Sequence, residues 1–195
     1  MIRDDIENGV PTACQGTDSE IYERIESLGS SAILVFDNSK HIAQLQFREY
    51  NREISSPNGL WDPLYWGDFG PDAPILRDRT LSIYCYHVGQ FDETEARDKN
   101  YHGLGIGKAM LEYLLVWAKE SGFSGVVAKA TPESRPVMSF MGGQPLSVYE
   151  NYGFKTLRSE MDEQLLNVVR EKRLVPKEAN PKDIALVSQC IKYFE

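Results

Sequence analysis

Cysteine is scarce in this 195-residue chain: Cys14, Cys85 and Cys190 are odd in number and show no CxxC spacing. That pattern argues against a disulfide framework and a thiolate metal site, so no metal is expected and a reducing, cytoplasmic setting fits. Long apolar runs are also missing. No segment approaches the ~20 apolar residues of a membrane span, and no basic stretch leads into an apolar one as in a signal peptide. Basic charge is in deficit, with 21 Lys and Arg against 29 Asp and Glu and a formal net charge of −8. A nucleic-acid partner, which wants a basic face, is therefore not expected. No internal repeat or low-complexity tract is present. With 42% apolar content, residues 1–195 can bury one core and read as one domain.

What the chain does have is concentrated at residues 101–108, YHGLGIGK. Gly103, Gly105 and Gly107 alternate with large residues where a polar loop turns into a helix. Glycines permit positive φ and let successive N–H groups converge on one point. The free N–H groups and positive dipole end of the following helix aim at the same place, which makes an anion cradle suited to a phosphate or pyrophosphate. That helix is marked by Met110, Leu111, Leu114, Leu115 and Ala118 at i, i+3, i+4, i+7 spacing, and Gly122 closes it. Residues 81–88 (LSIYCYHV) before the loop and 125–130 (GVVAKA) after the helix have strand composition. The arrangement is neither a contiguous GxGxxG turn nor a P-loop, since Lys108 is followed by Ala109. Downstream, residues 148–154 (VYENYGF) place a tyrosine on a helix that stops at glycine, with an aromatic opening the next strand.

Together these segments resemble the GNAT superfamily of N-acetyltransferases. The resemblance covers roughly residues 81–157 and rests on two motifs. In the family, a [Q/R]xxGx[G/A] loop holds the pyrophosphate of acetyl-CoA; His102, Gly105 and Gly107 occupy its defined positions, with His for Gln or Arg. Tyr149, Glu150, Gly153 and Phe154 match YExxGF. The resemblance implies an α/β fold: a mixed, mostly antiparallel twisted sheet with a central splayed parallel strand pair, flanked by helices. It assigns His102, Gly103, Leu104, Gly105, Ile106, Gly107 and Lys108 to the cofactor, with pantetheine inserting between the splayed strands and the Val88 N–H polarising the acetyl carbonyl. Tyr149 becomes the acid that protonates the departing thiolate, against the alternative of a packed helix aromatic. Two family positions differ: Gly142 and Pro145 stand where Asn and Ala are usual.

The implied activity is acetyl transfer to an amine by direct attack in a ternary complex, with a small-molecule or peptide acceptor. A catalytically silent acyl-CoA sensor or an unrelated phosphate-binding α/β protein would share many of these features. For the base, candidates are His87, Glu49, Glu93 or a water chain; a strand histidine is more often structural.

Elsewhere, Thr17 and Glu20 suggest a capping box for a helix reaching Leu28. Residues 31–36 and 41–50 read as a hairpin. Residues 51–79 read as one long loop carrying Trp61, Tyr65, Trp66 and Phe69, aromatics that either plug the core or line an acceptor pocket. Residues 131–143 read as a loop over the cofactor and 154–160 as a strand. An added amphipathic helix over 161–174 could pack or support a homodimer. A linker, 176–181, and a final strand, 184–194, complete the expectation.

Overall fold

The computed structural model describes residues 18–54, 66–89 and 98–195. Six strands, β1 (Ala32–Asp37), β2 (Lys40–Glu49), β3 (Thr80–Val88), β4 (Gly125–Ala130), β5 (Lys155–Met161) and β6 (Leu186–Tyr193), form a sheet in the order β1-β2-β3-β4-β6-β5. All neighbours are antiparallel except β3 and β4. That exception follows from the crossover helix α2 (Ile106–Glu120), which returns the chain so that the second strand runs with the first. The mixed sheet, its parallel pair and its flanking helices match the expected fold class.

One face of the sheet is covered by α2. Its Met110, Leu111, Leu114, Leu115 and Ala118 are buried, as their spacing predicts, in a cluster with Leu45 and Phe47 of β2, Leu81 and Ile83 of β3, and Val126 and Ala128 of β4. Strand residues alternate between faces, so Val127 points the other way. There it meets Trp66 and Ile191 in a second, smaller cluster. Trp66 is 1% exposed, and its Nε1 donates to Ser82 Oγ at 2.7 Å. It stands edge-on to Tyr50, with ring centroids 5.3 Å apart, and opens a 3₁₀ segment, Trp66–Asp72. Residues 66–72 are thus not the plain loop expected for 51–79.

A third cluster joins α3 (Arg135–Met141), α5 (Glu163–Glu171) and α6 (Pro181–Ala185) through Val137, Leu165, Val169 and Ile184. Three expectations change here. The 131–143 loop contains α3, with Pro136 in its first turn and Gly142 as its C-cap. The added helix begins at Glu163 because the Asp162 carboxylate caps it, accepting from Leu165 N–H at 2.8 Å, and Met161 belongs to β5. The 176–181 linker and 184–194 strand give way to α6, which is capped by Asn180 and started by Pro181, with β6 beginning at Leu186. Near the start of the described residues, α1 (Asp18–Leu28) and the β1–β2 hairpin lie close to the expected bounds. Thr17 of the capping box, Trp61, Tyr65 and Glu93 fall outside the described residues.

Trp66→Ala should destabilise the fold by about 3–5 kcal/mol, the usual cost of truncating a buried aromatic. Chemical denaturation measures this, and a loss under about 1 kcal/mol would remove Trp66 from the core. High pH gives a second check. Burial, then the neighbouring Tyr86, raises the Tyr149 phenol well above 10.0; burial, then Tyr152, does the same to Tyr86. Burial, then Glu150, pushes the Cys190 thiol from 9.0 up to about 12. The unfolded chain therefore releases these protons first, so stability is full below pH 9 and falls as pH rises toward 12. Each ionising group contributes about 1.4 kcal/mol per pH unit in its window. Urea midpoints should fall from pH 9 upward, less steeply in Tyr86→Phe; a flat profile would contradict the burial.

Candidate functional site

The glycine loop delivers α2 to the mouth of a cleft of about 460 Å³. Gly105 is the N-cap in the left-handed region, φ 78°, without a side-chain cap. A Cβ built there meets nothing within 4 Å, so glycine is required by the backbone turn rather than by crowding. The N–H groups of the first helical turn have no acceptors inside the helix. That turn carries Lys108 and no acidic residue. A lysine there opposes the dipole and costs the helix a little, yet it adds positive potential where an anion would sit.

The far wall of the cleft comes from α3, through Arg135, Met138 and Ser139, and from Gly143 and Gln144 beyond it. Among the described residues no Asp or Glu lines the cleft, although the chain carries eight more acidic than basic residues. Of the loop residues assigned from sequence, His102, Gly103, Gly105, Ile106, Gly107 and Lys108 meet there with Val88; Leu104 does not line the cleft and is 65% exposed. Arg135, Met138 and Ser139 belong to the 131–143 segment expected over the cofactor, though as a helix rather than a loop, and Gln144 lies just beyond it. Pro136 followed by the Gly142, Gly143 pair was the available signal for a short helix.

At the inner end of the cleft, β3 and β4 part. Thr80, Leu81 and Ser82 pair with Gly125, Val126 and Val127, and the register stops there. Opposite β2, Tyr84 is an extra residue in β3, since Gln46 faces Cys85 while Phe47 faces Ile83. Such a bulge increases local twist and turns the strand away from its neighbour. Tyr86 N–H points into the gap and Gly89 N–H toward Ile42 on β2, so the two-residue alternation turns Val88 N–H to the gap as well.

Tyr149 stands on α4 (Leu146–Asn151) at the base of this gap, 1% exposed. Its position has a local cause in YENYGF: Gly153 N–H bonds to Glu150 O at 2.9 Å and Phe154 N–H to Tyr149 O at 3.2 Å, a Schellman ending. Phe154 is thereby folded onto the Tyr149 ring, with centroids 5.1 Å apart. The raised pKa keeps the phenol protonated at neutral pH, and this is the state a proton donor needs.

His87 is buried on β3, and its Nε2 lies 4.0 Å from a Cβ built on Gly142. Glu49 lies opposite Leu81, five and seven residues along β3 from Tyr86 and Val88, and so roughly 16 to 23 Å by strand rise from the β3 residues that line the cleft. That distance removes it from the candidate bases. Trp66, at the paired end of β3 and β4, is a core residue in this geometry, with Lys129 Nζ 4.8 Å from its ring. Among the described residues, no group of three or more His, Cys, Asp and Glu could hold a metal ion, and no helix is long and apolar enough to cross a membrane.

The model of the "Acetyltransferase (GNAT) family" matches residues 18–142, a stretch that includes the glycine loop and stops before Tyr149. No curated protein matches the chain. Among solved structures, a Bacillus subtilis acetyltransferase in complex with CoA is 13% identical, covering 92% of this chain and 95% of its own, with a TM-score of 0.48. A GNAT family acetyltransferase from Elizabethkingia anophelis with acetyl-CoA bound is 14% identical over 91% of this chain and 84% of its own, with a TM-score of 0.45. Ribosomal-protein-alanine N-acetyltransferase from Brucella melitensis is 11% identical over 98% and 88%, with a TM-score of 0.49. The family match spans well over half of the residues, and the chain belongs to the GNAT acetyltransferase family.

Proposed function

We propose that the protein is an acetyl-CoA-dependent N-acetyltransferase that acts on a small-molecule or peptide amine by direct attack in a ternary complex. The observation that carries this is the cleft: a glycine-cradled helix N-terminus with Lys108, His102 and Arg135 and, among the described residues, no carboxylate, leading inward to a protonated, buried Tyr149. A ligand with phosphates at one end and a narrow, amide-bearing reactive arm suits that run from positive mouth to slender inner slot. The residues present suit CoA: the 103–107 backbone and Lys108 for its phosphates, Arg135 across the cleft, and the Val88 N–H toward the gap. Bound there, acetyl-CoA would supply an activated acetyl thioester.

The chain's own groups have distinct tasks in this reading. Val88 N–H presents a donor to the carbonyl oxygen that gains charge as the amine adds. Tyr149 holds the proton that the leaving thiolate requires, and burial keeps its phenol in the protonated form from which that proton is donated. His87, beside Gly142 on the strand that bears Val88, is the residue assigned to take the proton from the amine. Trp66 is assigned to packing rather than to the acceptor.

Gly105→Glu tests the cradle, because its side chain would project into open cleft and set a carboxylate against the phosphates. Acetyl-CoA affinity by calorimetry should fall at least about tenfold, roughly 1.4 kcal/mol, in a folded variant. Unchanged affinity removes the cradle from the ligand site. Tyr149→Phe tests the acid: kcat toward a responsive member of an amine panel should drop by about 10² to 10⁴ while the Kd for acetyl-CoA stays put. A protein that binds acetyl-CoA but acetylates no amine in the panel would favour the silent sensor.

A further inference from the structure

Two strand edges that diverge inside a protein leave backbone donors and acceptors without partners unless something enters between them. Here the chain enters itself. Gly142, Gly143, Gln144 and Pro145 run between β3 and β4: Tyr86 N–H donates to Gly142 O at 2.8 Å, Thr131 N–H donates to Gln144 O at 2.9 Å, and Thr131 and Pro145 form a parallel bridge. Its first two positions are close-fitting for glycine. A Cβ on Gly142 would approach Tyr86 O to 3.2 Å, and one on Gly143 would approach Thr131 Cγ2 to 2.6 Å.

What remains beside Tyr149 is a void of about 20 Å³, bounded by Tyr86, Thr131, Gly142 and Gly143. Such a space holds a water at most, and an acetyl thioester is several times larger. The filling is also incomplete. Tyr86 Oη and Thr131 Oγ1 are buried with no hydrogen-bond partner among the described residues, so the segment satisfies the strand backbones and leaves hydroxyls on both walls unmatched. At its outer end the segment touches the cradle, because Gln144 Nε2 lies 2.6 Å from a Cβ built on Gly107.

We infer that residues 142–145 are a self-inserted plug, which must withdraw from between β3 and β4 before the arm of a CoA thioester reaches Tyr149. This rests on the CoA reading above. The exchange is chemically matched, since the pantetheine arm carries two amides whose carbonyls can accept from Tyr86 N–H in place of Gly142 O. The plug and the cradle are neighbours at Gln144 and Gly107, so a ligand seated on the cradle has its arm at the entrance to the plugged slot.

A reversible lock tests it. In a Thr131→Cys, Gly143→Cys variant the two side chains fall within crosslinking range. The disulfide would hold the plug in place, and reduction would free it. The probes are desulfo-CoA, which has no thiol to exchange, and adenosine 3′,5′-bisphosphate, which has no pantetheine arm. Calorimetry should give the oxidised form at least about tenfold weaker desulfo-CoA binding than the reduced form, with adenosine bisphosphate binding equal in both. Equal desulfo-CoA affinity in the two forms overturns the plug. If the parent protein binds neither probe, it is the CoA reading that fails, and the inference falls with it. Should the double variant not fold or not crosslink, stopped-flow binding to the parent decides: the observed rate should level off with desulfo-CoA concentration while that of adenosine bisphosphate keeps rising, and two linear plots overturn the plug.

Discussion

Everything of interest in this molecule depends on an interruption in backbone hydrogen bonding. β3 and β4 pair over Thr80 to Ser82 and then separate, helped by the extra residue Tyr84 in the strand opposite β2. A parallel pair in the centre of a sheet is normally buried on both faces and continuous. Stopping it midway creates a polar-walled slot inside an apolar core, and the slot has to be filled. Two groups of residues gather at its ends for that reason: the glycine cradle at the mouth, and Tyr149 at the base.

Electrostatics and packing divide the work between those ends. At the mouth, glycine conformations and the start of α2 concentrate positive potential, and among the described residues no carboxylate lines it, although the whole chain is acidic. At the base, desolvation dominates, raising both tyrosine pKa values and keeping the phenols neutral. A ligand with a charged end and an apolar reactive end would find both environments in the order it needs. The α3, α5 and α6 cluster braces the far wall of the cleft, which gives the segment after β5 a place in the site rather than leaving it an appendage.

The same cluster explains where sequence reading was weakest. α3 and α6 span seven and five residues, too short for a 3.6-residue period to announce itself against a strand pattern. Ile184 and Ala185 sit in a continuous apolar run with β6, and only the Asn180, Pro181 start shows where helix precedes strand. Trp66 was ambiguous for another reason. An aromatic in a proline-rich segment packs wherever the fold leaves a surface for it, and here Ser82 and Val127 on the face away from α2 supply that surface.

The sequence by itself determined the cradle, the apolar face of α2 and the glycine-closed helix bearing Tyr149, because each depends on residues within a few turns of one another. Local spacing carries glycine conformations, helix periodicity and the Schellman ending in full. Tertiary structure alone decided that Arg135 and Gln144 face the cradle, that Glu49 lies far from it, and that 142–145 fill the slot between β3 and β4. Those relations join backbone and side-chain groups distant in the chain, such as Tyr86 and Gly142, and nothing in the spacing of either segment specifies that their N–H and C=O will meet.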